Sequence, residues 1–213
     1  TEQILLPGFV DSHTHICLGG IRVKVFALRL DGKTYLEIAE GGGGIWSTVT
    51  QTRNKSADEL KDITLKNSQQ LAKQGITTAE VKSGYALSVD GEINMLKAIN
   101  LANQESEIEL IPTFLGAHMK PKDFEGSNKE YLALLVKEVF PKLKSENLAN
   151  RIDIFVEQSA FSVEEGDYFM NEAQKQGFEL TIHADQFTAG GSYLATKYKA
   201  LSADHLEFSG EDE

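Results

Sequence analysis

His13 and His15 lie two positions apart in the stretch Pro7-Gly8-Phe9-Val10-Asp11-Ser12-His13-Thr14-His15. An extended chain alternates its side chains, so this spacing aims both imidazoles to the same side. Two neutral ring nitrogens placed in that way can grip one metal ion. The other three histidines come at comparable points: His118 closes Ile108 to Ala117, His183 closes Phe178 to Ile182, and His205 closes Ala200 to Asp204. All five follow strand-like segments and none lies in a helical stretch. A single histidine at a strand end is most often a hydrogen-bonded structural residue. When every histidine of a chain is so placed, the better reading is that one end of a sheet gathers them into a metal or acid/base site.

The elements that must position these rings can be read from periodicity. The apolar run before His13 reads as a buried strand, which puts the pair at its carboxyl end, where barrel and open-sheet α/β enzymes place their chemistry. Beyond it, short β-branched runs alternate with amphipathic stretches, the pattern of a parallel sheet built from βα units. A capping box, Ser56-Ala57-Asp58-Glu59, opens a helix that runs through Leu60, Ile63 and Leu71 and stops near Gly75. Further helices are predicted over 90–103, 129–144 and 163–176, the last opened by a second capping box from Ser162 to Glu165. Strands are predicted at 76–81, 108–114, 152–156, 179–182 and 201–203, which with the His13 strand makes six in βα order. An open doubly wound sheet gathers its ligand at one switch point, whereas here histidines end four different strands. A ring of strands, a (β/α)8 TIM-like barrel represented by about six of its βα units, brings such ends together more easily.

Composition limits the function. With 213 residues, 41% hydrophobic and 25% charged, the chain is an ordinary globular protein with material for one sizeable core. A net charge of −11 and the lack of a basic stripe argue against nucleic acid, whose binding draws on lysine and arginine set against phosphates. The lone Cys17 cannot form an internal disulfide and reads as a small buried filler. No apolar stretch is long enough to span a bilayer or to resemble a signal peptide, so no membrane partner and a cytoplasmic location are expected. The glycine run from Gly41 to Gly44 has no Gly-Lys-Ser/Thr after it and reads as a turn or mobile segment rather than a phosphate loop.

The stretch from Pro7 to His15 resembles the first metal motif of the amidohydrolase superfamily. Other segments narrow the resemblance to its imidazolonepropionase family: Gly19-Gly20-Ile21-Arg22, Tyr35-Leu36-Glu37-Ile38, Gly42-Gly43-Gly44-Ile45-Trp46-Ser47-Thr48-Val49, Glu80-Val81-Lys82-Ser83-Gly84-Tyr85, Thr113-Phe114-Leu115-Gly116-Ala117-His118, His183-Ala184-Asp185-Gln186 and Ser202-Ala203-Asp204-His205-Leu206-Glu207. They span nearly the whole chain in the expected order. The resemblance implies one zinc or iron ion in a barrel and hydrolysis of the ring amide of 4-imidazolone-5-propanoate to N-formimidoyl-L-glutamate, in histidine degradation. It implies that His13, His15 and His183 hold the metal as neutral imidazoles, leaving a position for water, which the cation acidifies. His205 is then the catalytic residue, bonded to that water or to the developing oxyanion.

For the small-molecule substrate, the resemblance implies that Arg22 binds the propanoate, since a guanidinium fork fits a carboxylate. Tyr85 and His118 would contact the imidazolone ring and its polar edge, with Tyr35 in a similar role. Gln186 stands where some related hydrolases carry glutamate. Glutamine can hydrogen-bond but not shuttle protons, so Gln186 is assigned to ring binding. Val25 stands where the family usually has an acidic residue. The family's fourth ligand, an aspartate ending the last barrel strand, is expected beyond Glu213, and residues 1–213 are expected to form a partial barrel without the small β domain and the last strands. A homodimer is the expected assembly. The residues leave open another amidohydrolase, such as a deaminase or a different cyclic-amide hydrolase, and a catalytically inactive barrel protein.

Overall fold

Six parallel strands pair strictly in chain order, and helices run between them. This is the βα alternation expected from the sequence. In the computed structural model the described residues are 4–20, 23–33, 37 and 44–210. Strands β1 (Phe9–Asp11), β2 (Ile76–Lys82), β3 (Glu109–Ala117), β4 (Arg151–Ile154), β5 (Glu179–Ala184) and β6 (Ser202–His205) form the sheet. The helices are α1 (Val23–Leu30), α2 (Gly44–Arg53), α3 (Ala57–Ala72), α4 (Val89–Glu105), α5 (Asn128–Leu134), α6 (Phe140–Ser145), α7 (Val163–Lys175) and α8 (Ser192–Tyr198).

The sheet is curled. Six strands laid flat at ~4.8 Å spacing would put β1 and β6 roughly 24 Å apart. Instead His13, just after β1, reaches Asp204 of β6 with Nδ1 2.9 Å from Oδ2. The curl follows from the pattern of side chains. On the convex face Ala79, Val81, Leu110, Ile152, Ile154, Leu180 and Ile182 join the core beneath the helices, where the Phe140 ring packs against Phe114, Phe169 and Phe178 at centroid distances of 6.3, 5.2 and 5.3 Å. On the concave face most of the alternate positions are polar, with Ile111 of β3 among them as an apolar one: Glu80 and Lys82 on β2, Thr113 on β3, Asp153 on β4, Thr181 and His183 on β5, Asp204 on β6. A sheet with one apolar face buries it by wrapping that face in helices.

Both predicted capping boxes form: Ser56 with Glu59 opens α3 and Ser162 with Glu165 opens α7. A third, Ser127 with Glu130, opens α5. Gly75 ends the α3 turn with φ of +84°, a conformation glycine adopts without steric cost. The helix predicted over 129–144 is broken, since a π-turn at Leu135–Val139 separates α5 from α6. Pro141 lies in the first turn of α6 and has no N–H to return to the preceding turn, so the backbone widens there.

Among the described residues, three helices escaped the periodicity. α2 carries four threonine and valine residues in ten, which are weak helix formers. α8 has only seven residues, with Gly191 at its N-cap providing no side-chain bond and Lys199 rather than glycine in the left-handed position after it. α1 lies between segments outside the described residues. The reading of β1 as a buried strand is corrected: Phe9 is 61% and Val10 68% exposed, because β1 is an edge strand that pairs only with β2 among the described residues. No helix of the described residues is long and apolar enough to cross a membrane.

Cys17 is fully buried, its Sγ 3.8 Å from the Met95 carbonyl oxygen. Burial pushes its thiol up to about 12, opposed by a bond to Thr64 and aided by the Glu92 charge. A thiol this far from its thiolate is a poor nucleophile. Iodoacetamide at pH 8 is therefore expected to leave the native protein unmodified and to label one cysteine after denaturation, read as intact mass. Rapid labelling of the native protein would contradict this packing.

Candidate active site

The curl brings the carboxyl ends of the strands together, and all five histidines line a single open cavity of about 340 Å³. Tyr85, Gln186, Ile45, Phe155, Phe187 and Glu207 complete its wall. At its base His13 Nε2 lies 3.2 Å from His15 Nε2, which lies 3.4 Å from His183 Nε2. Three like nitrogens at such distances have nothing to hydrogen-bond with one another unless one is protonated, and they suit a shared cation. Burial, then the rings of His118, His183 and His13 and the Lys82 ammonium, holds His15 well below the usual imidazole range. It is thus a neutral ring with one nitrogen lone pair to offer.

The far nitrogens of two of these rings are occupied. His13 Nδ1 lies 2.9 Å from Asp204, and His183 Nδ1 lies 3.1 and 3.0 Å from the two oxygens of Asp153. Burial alone would raise the Asp153 carboxyl, but His183 and Lys82 overcome it and hold the group far below the carboxylate range. The Asp204 carboxyl is likewise lowered, against burial, by His13 and Lys82. Ionised carboxylates can only accept, so they favour the N–H on the nitrogen beside them, Nδ1, through a hydrogen bond at His183 and a close charge contact at His13, with Nε2 turned toward the shared point. An ion held by His13, His15 and His183 therefore fits the side chains present. Asp153, His183 and Asp204 also converge, but the Lys82 ammonium already stands between the two aspartates at 2.7 and 3.1 Å.

Asp153 is fully buried and accepts from Lys82 Nζ at 2.7 Å. Asp153→Asn keeps the shape and a contact to His183 but withdraws the charge from Lys82. We expect a stability loss of about 1.5–3 kcal/mol, the range for a hydrogen bond to a charged group, read from urea unfolding. An unchanged midpoint would show that the pair is not held as described.

The remaining rings are positioned by loops. His118 follows β3, stacks on His15 with centroids 5.6 Å apart and an interplanar angle of 15°, and its Nδ1 lies 3.0 Å from the Gly84 carbonyl oxygen. Tyr85 meets His15 edge-on at 5.4 Å. Its loop is held by the buried Glu92 carboxylate, which accepts from the backbone N–H groups of Gly84, Ala86 and Leu87 at 2.8–2.9 Å. Gly84 is needed there, with φ of +97° and a Leu115 carbonyl oxygen 2.7 Å from where a Cβ would stand. Gln186 sits in a loop anchored by Glu157, which accepts from the N–H groups of Phe187 and Thr188 at 2.8 and 3.1 Å. His205 lies 5.4 Å from the His13 ring and 5.2 Å from that of His183, with Nδ1 3.6 Å from Glu207. Burial and the His183 and His13 rings lower its pKa. His205 and Leu206 both adopt left-handed φ, +79° and +66°, a strain that non-glycine residues keep where surroundings fix it. Arg22 and Tyr35 lie outside the described residues, and nothing is described of the Val25 side chain.

Residues 4–211 match the profile of the amidohydrolase family. The chain belongs to the amidohydrolase family. Among curated relatives, the imidazolonepropionase of Thermoanaerobacter pseudethanolicus is 45% identical over 206 residues, 96% of this chain and 50% of the relative. That of Myxococcus xanthus is 45% identical over 202 residues, 94% and 48% of the two. The chain thus spans about half the length of the curated relatives it matches. Solved structures share the amidohydrolase fold at low identity. The 5-methylcytosine deaminase of Klebsiella pneumoniae liganded with 5-fluorocytosine has a TM-score of 0.57 at 16% identity, covering 84% of this chain and 40% of that one. An amidohydrolase of Burkholderia ambifaria with bound zinc has a TM-score of 0.56 at 16% identity, covering 93% and 58%. These neighbours place the curled sheet as part of a (β/α)8 amidohydrolase barrel.

Four residues around this amidohydrolase cluster carry no role in the sequence reading: Glu80, Lys82, Asp153 and Asp204. Lys82 and Asp204 lie inside recognised segments, yet nothing local shows what they touch. Asp153 had a signal, a lone acid in the apolar run Ile152-Asp153-Ile154-Phe155-Val156, which predicts a buried and therefore partnered carboxylate.

Proposed function

We propose that this chain carries the metal-binding and ring-binding residues of a hydrolase that opens the cyclic amide of 4-imidazolone-5-propanoate to N-formimidoyl-L-glutamate, in histidine degradation. The observation that carries the reading is the convergence of the His13, His15 and His183 Nε2 atoms at 3.2 and 3.4 Å, with Nδ1 of His13 and His183 engaged by aspartates. It draws further support from relatives named imidazolonepropionase at 38–45% identity. Bound by these three rings, one zinc or iron ion would polarise the amide carbonyl and acidify a water molecule.

The chain's own residues do the rest. Hydrolysis adds water across the ring C–N bond: the carbonyl carbon gains the water oxygen, the C–N bond breaks, and the ring nitrogen leaves with a proton. His205, on the cavity wall beside His13 and His183, takes a proton from the attacking water and can return it to the leaving nitrogen. Tyr85 and His118 flank the ring, and Gln186 offers one donor and one acceptor to its edge. Arg22 pairs with the propanoate as a planar fork.

The direct test is turnover of 4-imidazolone-5-propanoate by the full-length, metal-analysed protein. Release of N-formimidoyl-L-glutamate with about one equivalent of zinc or iron supports the reading. A metal-loaded protein inert on this substrate but active in deaminating an aminated heterocycle would replace it with a deaminase.

A further inference from the structure

Lys82 closes β2 and is fully buried. Its Nζ lies 2.7 Å from Glu80, 2.7 Å from Asp153 and 3.1 Å from Asp204, so one ammonium meets three carboxylates, donating a hydrogen bond to Asp153 and making close charge contacts with the other two. Burial opposes its charge, but Asp153, Glu80 and Asp204 outweigh that and raise the group above the usual lysine range. Two of these carboxylates extend the connection. Asp153 goes on to His183 Nδ1 at 3.0 Å and Asp204 to His13 Nδ1 at 2.9 Å. One side chain is therefore joined, through one aspartate each, to a histidine just after β1 and a histidine on β5.

We propose that Lys82 is a positioning residue of the metal site, holding Asp153 and Asp204 side by side so that His13 and His183 stay in the Nδ1–H tautomer with Nε2 turned toward the ion. The inference rests on the reading of His13, His15 and His183 as metal ligands. Its physical basis is charge. Asp153 and Asp204 both lie within about 3 Å of the same ammonium, and without it one buried and one partly buried carboxylate would confront each other. Like charges so close would draw apart, and the departure of either carboxylate frees a histidine from its acceptor. His15 is wired differently. Its Nδ1 has no hydrogen-bond partner, and its plane is set by His118 and Tyr85 instead.

The test is Lys82→Met in the full-length protein, which keeps an unbranched side chain one atom shorter and removes the charge. Two readouts are taken: the ring-nitrogen NMR signals of the metal-free protein, which report tautomers without any metal, and zinc affinity by competition with a chelator. The unaltered protein should show His13 and His183 with protonated Nδ1 and bare Nε2. Lys82→Met should mix the tautomers of at least one of them and weaken zinc binding about 10–100-fold, the range for losing an outer partner of a ligand. A residue that served only the fold would lower stability and leave tautomers unmoved. Should Lys82→Met fail to fold, Lys82→Met with Asp204→Asn removes one charge of each sign. Measured against Asp204→Asn alone, it should mix the tautomers of His183. Tautomers and zinc affinity within twofold of the reference, in whichever variant folds, overturn the Lys82 inference alone. An unaltered protein that holds the tautomers but binds no zinc or iron overturns the metal reading, and with it the purpose assigned to Lys82.

Discussion

His183→Ala is expected to leave the protein without bound metal and without hydrolytic activity. The substitution removes one of three converging nitrogens and also strands its partner, since Asp153 then faces Lys82 on one side and a void on the other. Losing an outer partner of a ligand typically costs 10–100-fold in affinity, and losing the ligand itself should exceed that. Elemental analysis after dialysis against a weak chelator gives the answer directly. His118→Ala is the control, because His118 stacks on His15 but does not join the three-nitrogen cluster. It should retain metal. The same loss is expected for His13→Ala and His15→Ala, and unchanged stoichiometry in all three variants would remove the metal assignment.

His205→Asn is expected to lower kcat by about 10²–10⁴-fold, the usual contribution of a positioned acid or base, while metal content and KM change little. His205 shares the cavity with the three-nitrogen cluster, yet its ring stands 5.2 Å from His183 and 5.4 Å from His13, outside the group whose ligand atoms converge. Asparagine can still hydrogen-bond but cannot take up a proton near neutral pH. Steady-state kinetics with metal analysis separates the alternatives. A variant that loses metal makes His205 a ligand, and one with parental kcat makes it part of the wall.

Much of this site could be read locally. The two-residue period of a strand places His13 and His15 on one side whatever surrounds them, and the pair meets as expected at 3.2 Å. Serine followed three residues later by glutamate opens α3 and α7, because the capping box needs only four consecutive residues to satisfy its own backbone. The order of six βα units follows from the alternation of the two periods. The break at Leu135–Val139 was harder to see, since the apolar spacing continues through it and only Pro141 marks the fault.

The partners of the charged side chains were decided by the tertiary structure. Lys82 and Asp153 are 71 residues apart, and His183 lies 168 residues from His15. Their meeting depends on parallel register, on which side chains face inward, and on a curl that brings the end of β1 to β6. The types and spacing of the histidines thus determined that this protein could bind a metal at the carboxyl end of a sheet. Which nitrogen of His13 and of His183 faces that point was decided by the aspartate that reaches the other nitrogen. Periodicity is a property of neighbours along the chain, whereas burying an ammonium requires several strands to supply opposite charge at one place.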